Sequence, residues 1–169
     1  MNVFLPYERD IKKSVQSLDD KRLNKQILEC YQLLTTYIKR EINGIKDKGA
    51  GYFNHPVYKH FISTSYNLHA LMKYSIEACI EYKYRMGIDH KLYQPLNRLK
   101  INLFKYPDSI DCLYQPYFMR GSLGQPEYVR TYENVSQLFK DRLVEKWSND
   151  KIKPKWTNRE VPEFYEVWG

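Results

Sequence analysis

Residues 17–34 constrain the fold more than any other part of this sequence. Their apolar residues recur with the 3.6-residue period of an α-helix and therefore share one narrow face: Leu23, Ile27, Cys30 and Leu34. Ser17 and Asp20 have the spacing of an N-terminal capping box, and Asn43 with Gly44 provides a stop signal. The pattern predicts a first helix that begins near residue 17 and runs to about residue 40.

The same predicted helix carries a second, charged face. Arg22, Gln26 and Glu29 lie about a quarter turn from the apolar face, and Lys25 flanks them. One interpretation is a solvated face on which Glu29 forms ordinary ion pairs with Lys25 or Arg22, each contributing a few tenths of a kcal/mol. The other interpretation is a functional carboxylate set among cations.

The rest of the chain is also mainly helical in pattern. A second helical stretch begins at Pro56 and is closed by Gly87, with a kink or split near residues 63–65, and Pro126 can begin a last long helix. Residues 1–13, broken by Pro6, predict an extended segment packed on the core. Residues 88–125 contain several prolines and glycines and predict a loop-rich insertion with a short helix around residues 95–104. We therefore expect one mainly α, compact domain over residues 1–169.

Charge and aromatic content favour an anionic partner. The chain has 27 Lys and Arg against 20 Asp and Glu, a net charge of +7, and its aromatic content of 15% is interleaved with the basic residues. Nucleic-acid bases stack on such rings, although tyrosine at helix edges and a basic solvated surface are the alternatives. The sequence has no apolar run long enough for a membrane span and no signal-peptide layout, so we expect a cytoplasmic protein.

Several kinds of chemistry have no motif in this chain. Cys30, Cys79 and Cys112 lack metal-ligand or redox spacing and are predicted to be reduced thiols. The four histidines do not combine with acidic residues or cysteines at a familiar ligand spacing, so we expect no metal site. The motifs of P-loop nucleotide hydrolases and serine hydrolases are missing.

Amine chemistry is compatible with the sequence. A lysine amine with an ordinary pKa of about 10.4 is protonated at neutral pH, whereas an α-amine with a pKa of about 7.7–8.0 is partly neutral. The chain terminus is therefore the better amine nucleophile. An amine that forms a Schiff base with a sugar also needs a nearby carboxylate to move protons, and Glu29 is the candidate.

Four segments follow one another along the chain: residues 18–23 (LDDKRL) followed by Glu29, 51–56 (GYFNHP), 76–81 (IEACIE) and 84–88 (YRMGI). Together they resemble the pyrimidine-dimer DNA glycosylase/AP lyase family of the phage endonuclease V type. The resemblance divides the chain into a family-like core, residues 1–90, and residues 91–169, which hold the loop-rich extension, the last long helix and a basic aromatic tail. Residues 155–163 (KWTNREVPE) resemble an extended branch found in phages and bacteria.

The resemblance implies a helical domain whose N-terminal segment lies between helices and whose α-amine attacks the sugar C1′ of a damaged nucleotide. Glu29 would assist ring opening and proton removal, and β-elimination would cleave the strand, with no metal or organic cofactor. The family has a small residue after the initiator methionine, but this chain has Asn2, which disfavours removal of Met1. Either Met1 or Asn2 could therefore supply the amine.

The resemblance also implies which residues contact DNA. Arg22 and Gln26 would line the catalytic face, Lys21 and Lys25 would approach phosphates, and the loop before Pro56 would face the strand. The predicted loop contacts are Asn54 and His55, with loop capping as their alternative role. A basic cluster in the C-terminal half would add salt-dependent phosphate contacts: Lys140, Arg142, Lys146, Lys151, Lys153, Lys155 and Arg159.

The leading hypothesis is a DNA repair glycosylase with AP-lyase activity that excises a damaged or modified pyrimidine. Its partner would be double-stranded DNA carrying that base, and we expect a monomer in a bacterial or phage-infected cell. The alternatives are a noncatalytic DNA-binding protein of the same fold, a glycosylase without lyase activity and a glycosylase for another modified base.

Overall fold

The computed structural model describes residues 3–7, 10–45, 53–103 and 132–166. These ranges contain helices and connecting turns but no strand, which confirms the mainly α prediction. In chain order the elements are α1 (Ile11–Gln16), α2 (Asp20–Tyr37), a π-helical turn (Ile38–Ile42), α3 (Pro56–Ile62), α4 (Ser65–Met86), α5 (Tyr93–Leu103), α6 (Tyr132–Ser148) and α7 (Glu163–Glu166).

The start of the first long helix differs from the prediction. Ser17 ends α1, and its hydroxyl donates to the Ser14 carbonyl at 2.7 Å, while α2 begins at Asp20 with Asp19 as its N-cap. The predicted capping box is wrong because the Asp20 carboxylate accepts from Thr157 Oγ1 at 2.7 Å, a contact from the far end of the chain. The predicted end near residue 40 agrees with α2 and the π-helical turn that follows it.

The N-terminal segment packs between helices, as the resemblance implied. Residues 3–5 are buried and not helical. The Phe4 backbone N–H donates to Gln26 on α2, and the Phe4 ring meets Phe139 of α6 edge-on with ring centroids 6.1 Å apart. Residues 11–13, which were predicted to be extended, belong to α1 instead.

The core is built around α4, against which α1, α2, α3 and α5 pack. The four apolar residues that predicted the first helix, Leu23, Ile27, Cys30 and Leu34, are all fully buried. Burial of a large apolar side chain contributes about 1.5–3 kcal/mol, so this stripe fixes α2 on the core. Cys30 and Cys79 are buried free thiols, whereas Cys112 lies outside the described residues.

The middle of the chain follows the sequence pattern closely. The predicted split near residues 63–65 separates α3 from α4, and the predicted short helix is α5. Residues 88–92 of the predicted loop-rich insertion are non-helical, as expected. Residues 104–125 of that insertion, and Pro126 as the start of the last helix, lie outside the described part of the chain. Within the described ranges, no helix has the length and apolar character needed to span a membrane.

The C-terminal tail joins the start of α2 to the end of α4. The Lys155 carbonyl accepts from the Asp20 backbone N–H at 2.8 Å, and Trp156 Nε1 donates to the Ser17 carbonyl at 2.9 Å. Arg159 donates two hydrogen bonds to Glu81 on α4, both 2.8 Å long. The C-terminal tail is thus connected by hydrogen bonds to residues of the predicted family-like core.

Gly87 ends α4 in the left-handed conformation, with φ of +73°. We expect Gly87→Ala to lower the free energy of unfolding by about 1 kcal/mol, because an L-residue in this conformation is strained by about 1–2 kcal/mol. A new Cβ would meet no atom within 4 Å, so the cost is limited to the backbone. Chemical denaturation measures it, with the better-tolerated Gly87→Asn as the matched control; equal midpoints for Gly87→Ala and the wild type would contradict this prediction.

Candidate active site

A cavity of about 390 Å³ lies between α2 and α6, beside the N-terminal segment. Its volume falls within the range of small-ligand pockets. The lining residues are Phe4, Lys21, Arg22, Lys25, Gln26, Glu29, Arg142, Glu145, Lys146, Asn149 and Asp150. Five of these side chains are basic and three are acidic, so the cavity suits an anionic ligand.

Gln26 connects the N-terminal segment to Glu29. Its Oε1 accepts from the Phe4 backbone N–H at 3.4 Å and from the Tyr74 hydroxyl at 3.2 Å. Its Nε2 donates to Glu29 Oε2 at 3.1 Å. Because a backbone N–H can only donate, the Phe4 contact fixes which end of the amide faces Glu29. Gln26 therefore orients the carboxylate and ties it to the first residues of the chain.

Glu29 is buried rather than solvated. Its side chain is 9% exposed, and Lys25 Nζ lies 3.6 Å from Oε1 while remaining 67% exposed itself. The ion pair with Lys25 that the sequence suggested is present, but the solvated face is wrong because α6 and Phe4 enclose the other side of the cavity. Burial, and then the negative charge of Glu29, raise the pKa of the neighbouring Cys30 thiol, which stays protonated.

Arg22 lines the cavity and is held by two carboxylates. Its NH1 lies 3.1 Å from Asp19 Oδ1 and 2.9 Å from Asp150 Oδ2. Lys21 Nζ lies 3.2 Å from Asp150 Oδ1. The hydrogen bond from Arg22 lowers the pKa of Asp150, so this carboxylate is ionised at neutral pH. Trp147 Nε1 donates to Asp19 Oδ1 at 2.8 Å, which joins α6 to the start of α2.

The α6 wall presents a second set of charges. Arg142 and Glu145 form an ion pair one turn apart, and Lys146 follows on the same face. Burial, together with the positive charges of Arg142, Arg22 and Lys25, lowers the pKa of the Lys146 ammonium, while Glu145 acts in the opposite direction. This lysine therefore departs from the ordinary lysine assumed in the sequence analysis.

The structure brings together seven of the residues predicted to act in catalysis or DNA binding. The cavity is lined by Lys21, Arg22, Lys25, Gln26, Glu29, Arg142 and Lys146. The other predicted residues are not among the lining residues. Asn54, Lys153 and Lys155 are exposed, and Arg159 contacts Glu81. Met1 and Asn2 lie outside the described residues.

His55 has a structural contact in addition to its predicted role. It is the N-cap of α3, and its Nδ1 accepts from the Val57 backbone N–H at 3.2 Å. Burial lowers the pKa of His55, so the ring is neutral at neutral pH and can accept this bond. A contact between His55 and DNA remains a prediction.

Among the described residues, no three His, Cys, Asp or Glu side chains are grouped as a metal site.

The α6 wall was not predicted as part of the site. Arg142, Glu145, Lys146 and Asn149 follow helical spacing on the face that adjoins Phe139, and this polar stripe was a detectable signal. Arg142 and Lys146 were predicted only as phosphate contacts. Tyr74 lies in the middle of an apolar helix pattern, so only the fold reveals its contact with Gln26.

Comparison with known proteins identifies the family. A family model described as pyrimidine dimer DNA glycosylase matches residues 1–94 of the 169-residue chain. The chain belongs to this family. Membership of the pyrimidine dimer DNA glycosylases places it among DNA repair glycosylases, whose substrate is DNA. The matched residues include Glu29, Gln26 and the N-terminal segment, whereas the α6 wall lies beyond them. No curated protein and no solved structure matches the chain.

The bridge through Gln26 should matter for both stability and activity. We expect Gln26→Ala to lower the free energy of unfolding by about 1–3 kcal/mol, because it leaves the buried Phe4 N–H and Tyr74 hydroxyl without this acceptor. It should also slow release of the damaged base by the glycosylase, because Glu29 loses its donor.

Tyr74→Phe is the matched control for Gln26→Ala. It removes one hydrogen bond and leaves the contacts from Gln26 to Phe4 and Glu29 in place, so its cost should be about 1 kcal/mol and base release should change less. Urea denaturation and a single-turnover assay of base release measure the two effects. Equal loss of activity in both variants would contradict a direct bridge from Gln26 to Glu29.

Proposed function

We propose that this member of the pyrimidine dimer DNA glycosylases excises a damaged or modified pyrimidine and then cleaves the strand as an AP lyase. The observation that carries the proposal is the position of Glu29, a buried carboxylate linked through Gln26 to Phe4, in a cavity with five basic and three acidic side chains. Schiff-base catalysis requires an amine and a carboxylate that moves protons, and Glu29 would be that carboxylate.

Covalent geometry supports the chain terminus as the source of the amine. Phe4 N lies 3.4 Å from Gln26 Oε1. Only two residues separate Phe4 N from the α-amine of Asn2 and three separate it from that of Met1, and each residue extends a chain by at most about 3.6 Å. The proposed first step requires one of these amines to approach Glu29.

The proposed reaction needs only the α-amine, the Glu29 carboxylate and water. The neutral amine attacks the sugar C1′, the bond to the damaged base breaks, and the ring opens to an imine with proton transfer assisted by Glu29. Glu29 then removes a proton from C2′, the electron pair forms the C2′–C3′ double bond, and the 3′ phosphate leaves. Water hydrolyses the imine and returns the amine. Proton transfer by a positioned carboxylate accelerates such steps by about 10²–10⁴-fold.

The cations of the cavity support DNA as the ligand. Lys21 and Lys25 have side chains that are 65% and 67% exposed, so they can meet phosphates at the cavity mouth. A nucleotide must leave the base stack to enter such a cavity, at a cost of a few kcal/mol that base damage reduces. Damaged nucleotides are thereby favoured over intact ones.

Three matched duplexes test the proposal: one undamaged, one with a cyclobutane pyrimidine dimer and one with a single abasic site. We expect cleavage of both damaged duplexes with the products of β-elimination, and no cleavage of the undamaged duplex. Cleavage of the abasic duplex should persist in EDTA. Base release without strand cleavage would favour a glycosylase without lyase activity. Tight binding without either reaction would favour the noncatalytic DNA-binding protein, and cleavage of the abasic duplex alone would favour another modified base as the lesion.

A further inference from the structure

The cavity contains an amine that the family match does not include. Lys146 lies on α6, after the end of the matched residues 1–94, and lines the same cavity as Glu29. It follows Arg142 by one helical turn and precedes Asn149 by another, so the face of α6 that carries it is turned toward α2. An aldehyde bound in this cavity therefore has both the Glu29 carboxylate and the Lys146 amine among the groups that surround it.

Lys146 differs from the other lysines of the cavity in its ion pairing. Lys21 is paired with Asp150, and Lys25 is paired with Glu29. Lys146 makes neither an ion pair nor a hydrogen bond with any residue in the described part of the chain. Among these three lysines it is therefore the one that is not held in its charged form by a carboxylate partner.

The surroundings of Lys146 favour its neutral, nucleophilic form. Partial burial and the positive charges of Arg142, Arg22 and Lys25 all lower the pKa of the Lys146 ammonium. The negative charge of Glu145 acts in the opposite direction but does not outweigh them. Arg22 is fixed in this arrangement by Asp19 and Asp150. A lysine placed near other cations in a partly desolvated site is a recognised form of activated amine.

We propose that Lys146 Nζ is a second amine nucleophile of the cavity, which condenses with the C1′ aldehyde of an abasic deoxyribose. The neutral amine adds to C1′, the C1′ oxygen takes up a proton and leaves as water, and an iminium remains on Lys146. Glu29 then accepts the C2′ proton, and the 3′ phosphate leaves as in the reaction of the α-amine. This inference rests on the proposed AP-lyase function and adds a lysine from outside the matched family region.

Trapping followed by site mapping tests this proposal. The full chain is incubated with a duplex that carries one abasic site in the presence of sodium borohydride, and the residue bearing the reduced sugar is located by proteolysis and tandem mass spectrometry. We expect the reduced sugar on Lys146 of the wild type. Lys146→Arg keeps the positive charge but removes the nucleophile, so this variant should lose that adduct completely. The control Lys73→Arg, an exposed position on α4, should retain it.

The outcomes separate this inference from the proposed function. Reduced sugar found only on the α-amine of the wild type, with strand cleavage intact, would overturn the role of Lys146 and leave the AP-lyase proposal standing. Absence of both adduct and cleavage in the wild type would overturn the two together. The mapping experiment uses the wild-type protein and so does not depend on whether a variant folds. Circular dichroism of Lys146→Arg shows whether loss of the adduct in that variant is due to loss of its structure.

Discussion

Glu29→Gln is expected to slow cleavage of an abasic duplex by about 10²–10⁴-fold, the usual contribution of a general acid–base group. The amide oxygen of the new side chain can still accept from Gln26 Nε2, so the N-terminal segment should stay in place. Affinity for the same duplex should be unchanged or higher, because one negative charge leaves a cavity with five basic side chains. Single-turnover cleavage and fluorescence anisotropy at one salt concentration measure the two quantities.

Glu160→Gln is a suitable control for the charge change. Glu160 is exposed and does not line the cavity, so the variant should cleave at the wild-type rate. Wild-type cleavage by Glu29→Gln would exclude this carboxylate from proton transfer. A parallel loss of binding would instead indicate that the carboxylate is needed to assemble the cavity.

Glu81→Gln is expected to lower the free energy of unfolding by about 3 kcal/mol. Glu81 and Arg85 are 5% and 0% exposed at their side chains, and Arg85 Nε lies 2.7 Å from Glu81 Oε1. Removal of one partner from a buried ion pair costs about 3–5 kcal/mol, because the other charge stays buried. Arg85 retains a contact of 3.0 Å with Asp20, which places the cost at the lower end of that range.

The same substitution should alter the dependence of stability on pH. Burial opposes ionisation of Glu81, but hydrogen bonds from Arg159 and Arg85 outweigh it, so the pKa of Glu81 is lowered in the folded protein. A lowered pKa stabilises the fold above the unfolded value of about 4.3, and this stabilisation is lost as pH falls through the folded pKa. The difference between wild type and Glu81→Gln should therefore be large at pH 7 and shrink in acid.

Urea denaturation of both proteins at neutral and acidic pH measures this difference, with the exposed Glu160→Gln as the control. A difference that is the same at both pH values would mean that the cost comes from altered packing rather than from the lost charge. Glu81 receives two hydrogen bonds from Arg159, so the result also reports how the C-terminal tail contributes to stability.

Local periodicity was sufficient to predict α2, its apolar face and its charged face. The apolar stripe became core, and Arg22, Gln26 and Glu29 came to line one cavity, because the angle between residues on a helix depends only on their spacing. The end of α4 at Gly87 was likewise predicted from the local sequence alone. These features required no knowledge of which helices would meet.

Features that depend on distant partners were not predictable in the same way. The break between α1 and α2 involves Asp19 and Asp20, whose carboxylates accept from Trp147 and Thr157 respectively. The contact of the Arg159 guanidinium with Glu81 on α4 was not predicted, and a contact of Arg159 with DNA stays a prediction. Charge patterns along the chain do not identify a partner 78 positions away.

The most direct test of the proposed lyase chemistry is the intact mass of the wild-type protein after borohydride reduction in the presence of a duplex with one abasic site. We expect a species heavier than the free chain by one reduced oligonucleotide fragment, formed through an amine in the cavity that contains Glu29. A chain that keeps its unmodified mass, under conditions in which it binds the same duplex, would contradict catalysis through an imine.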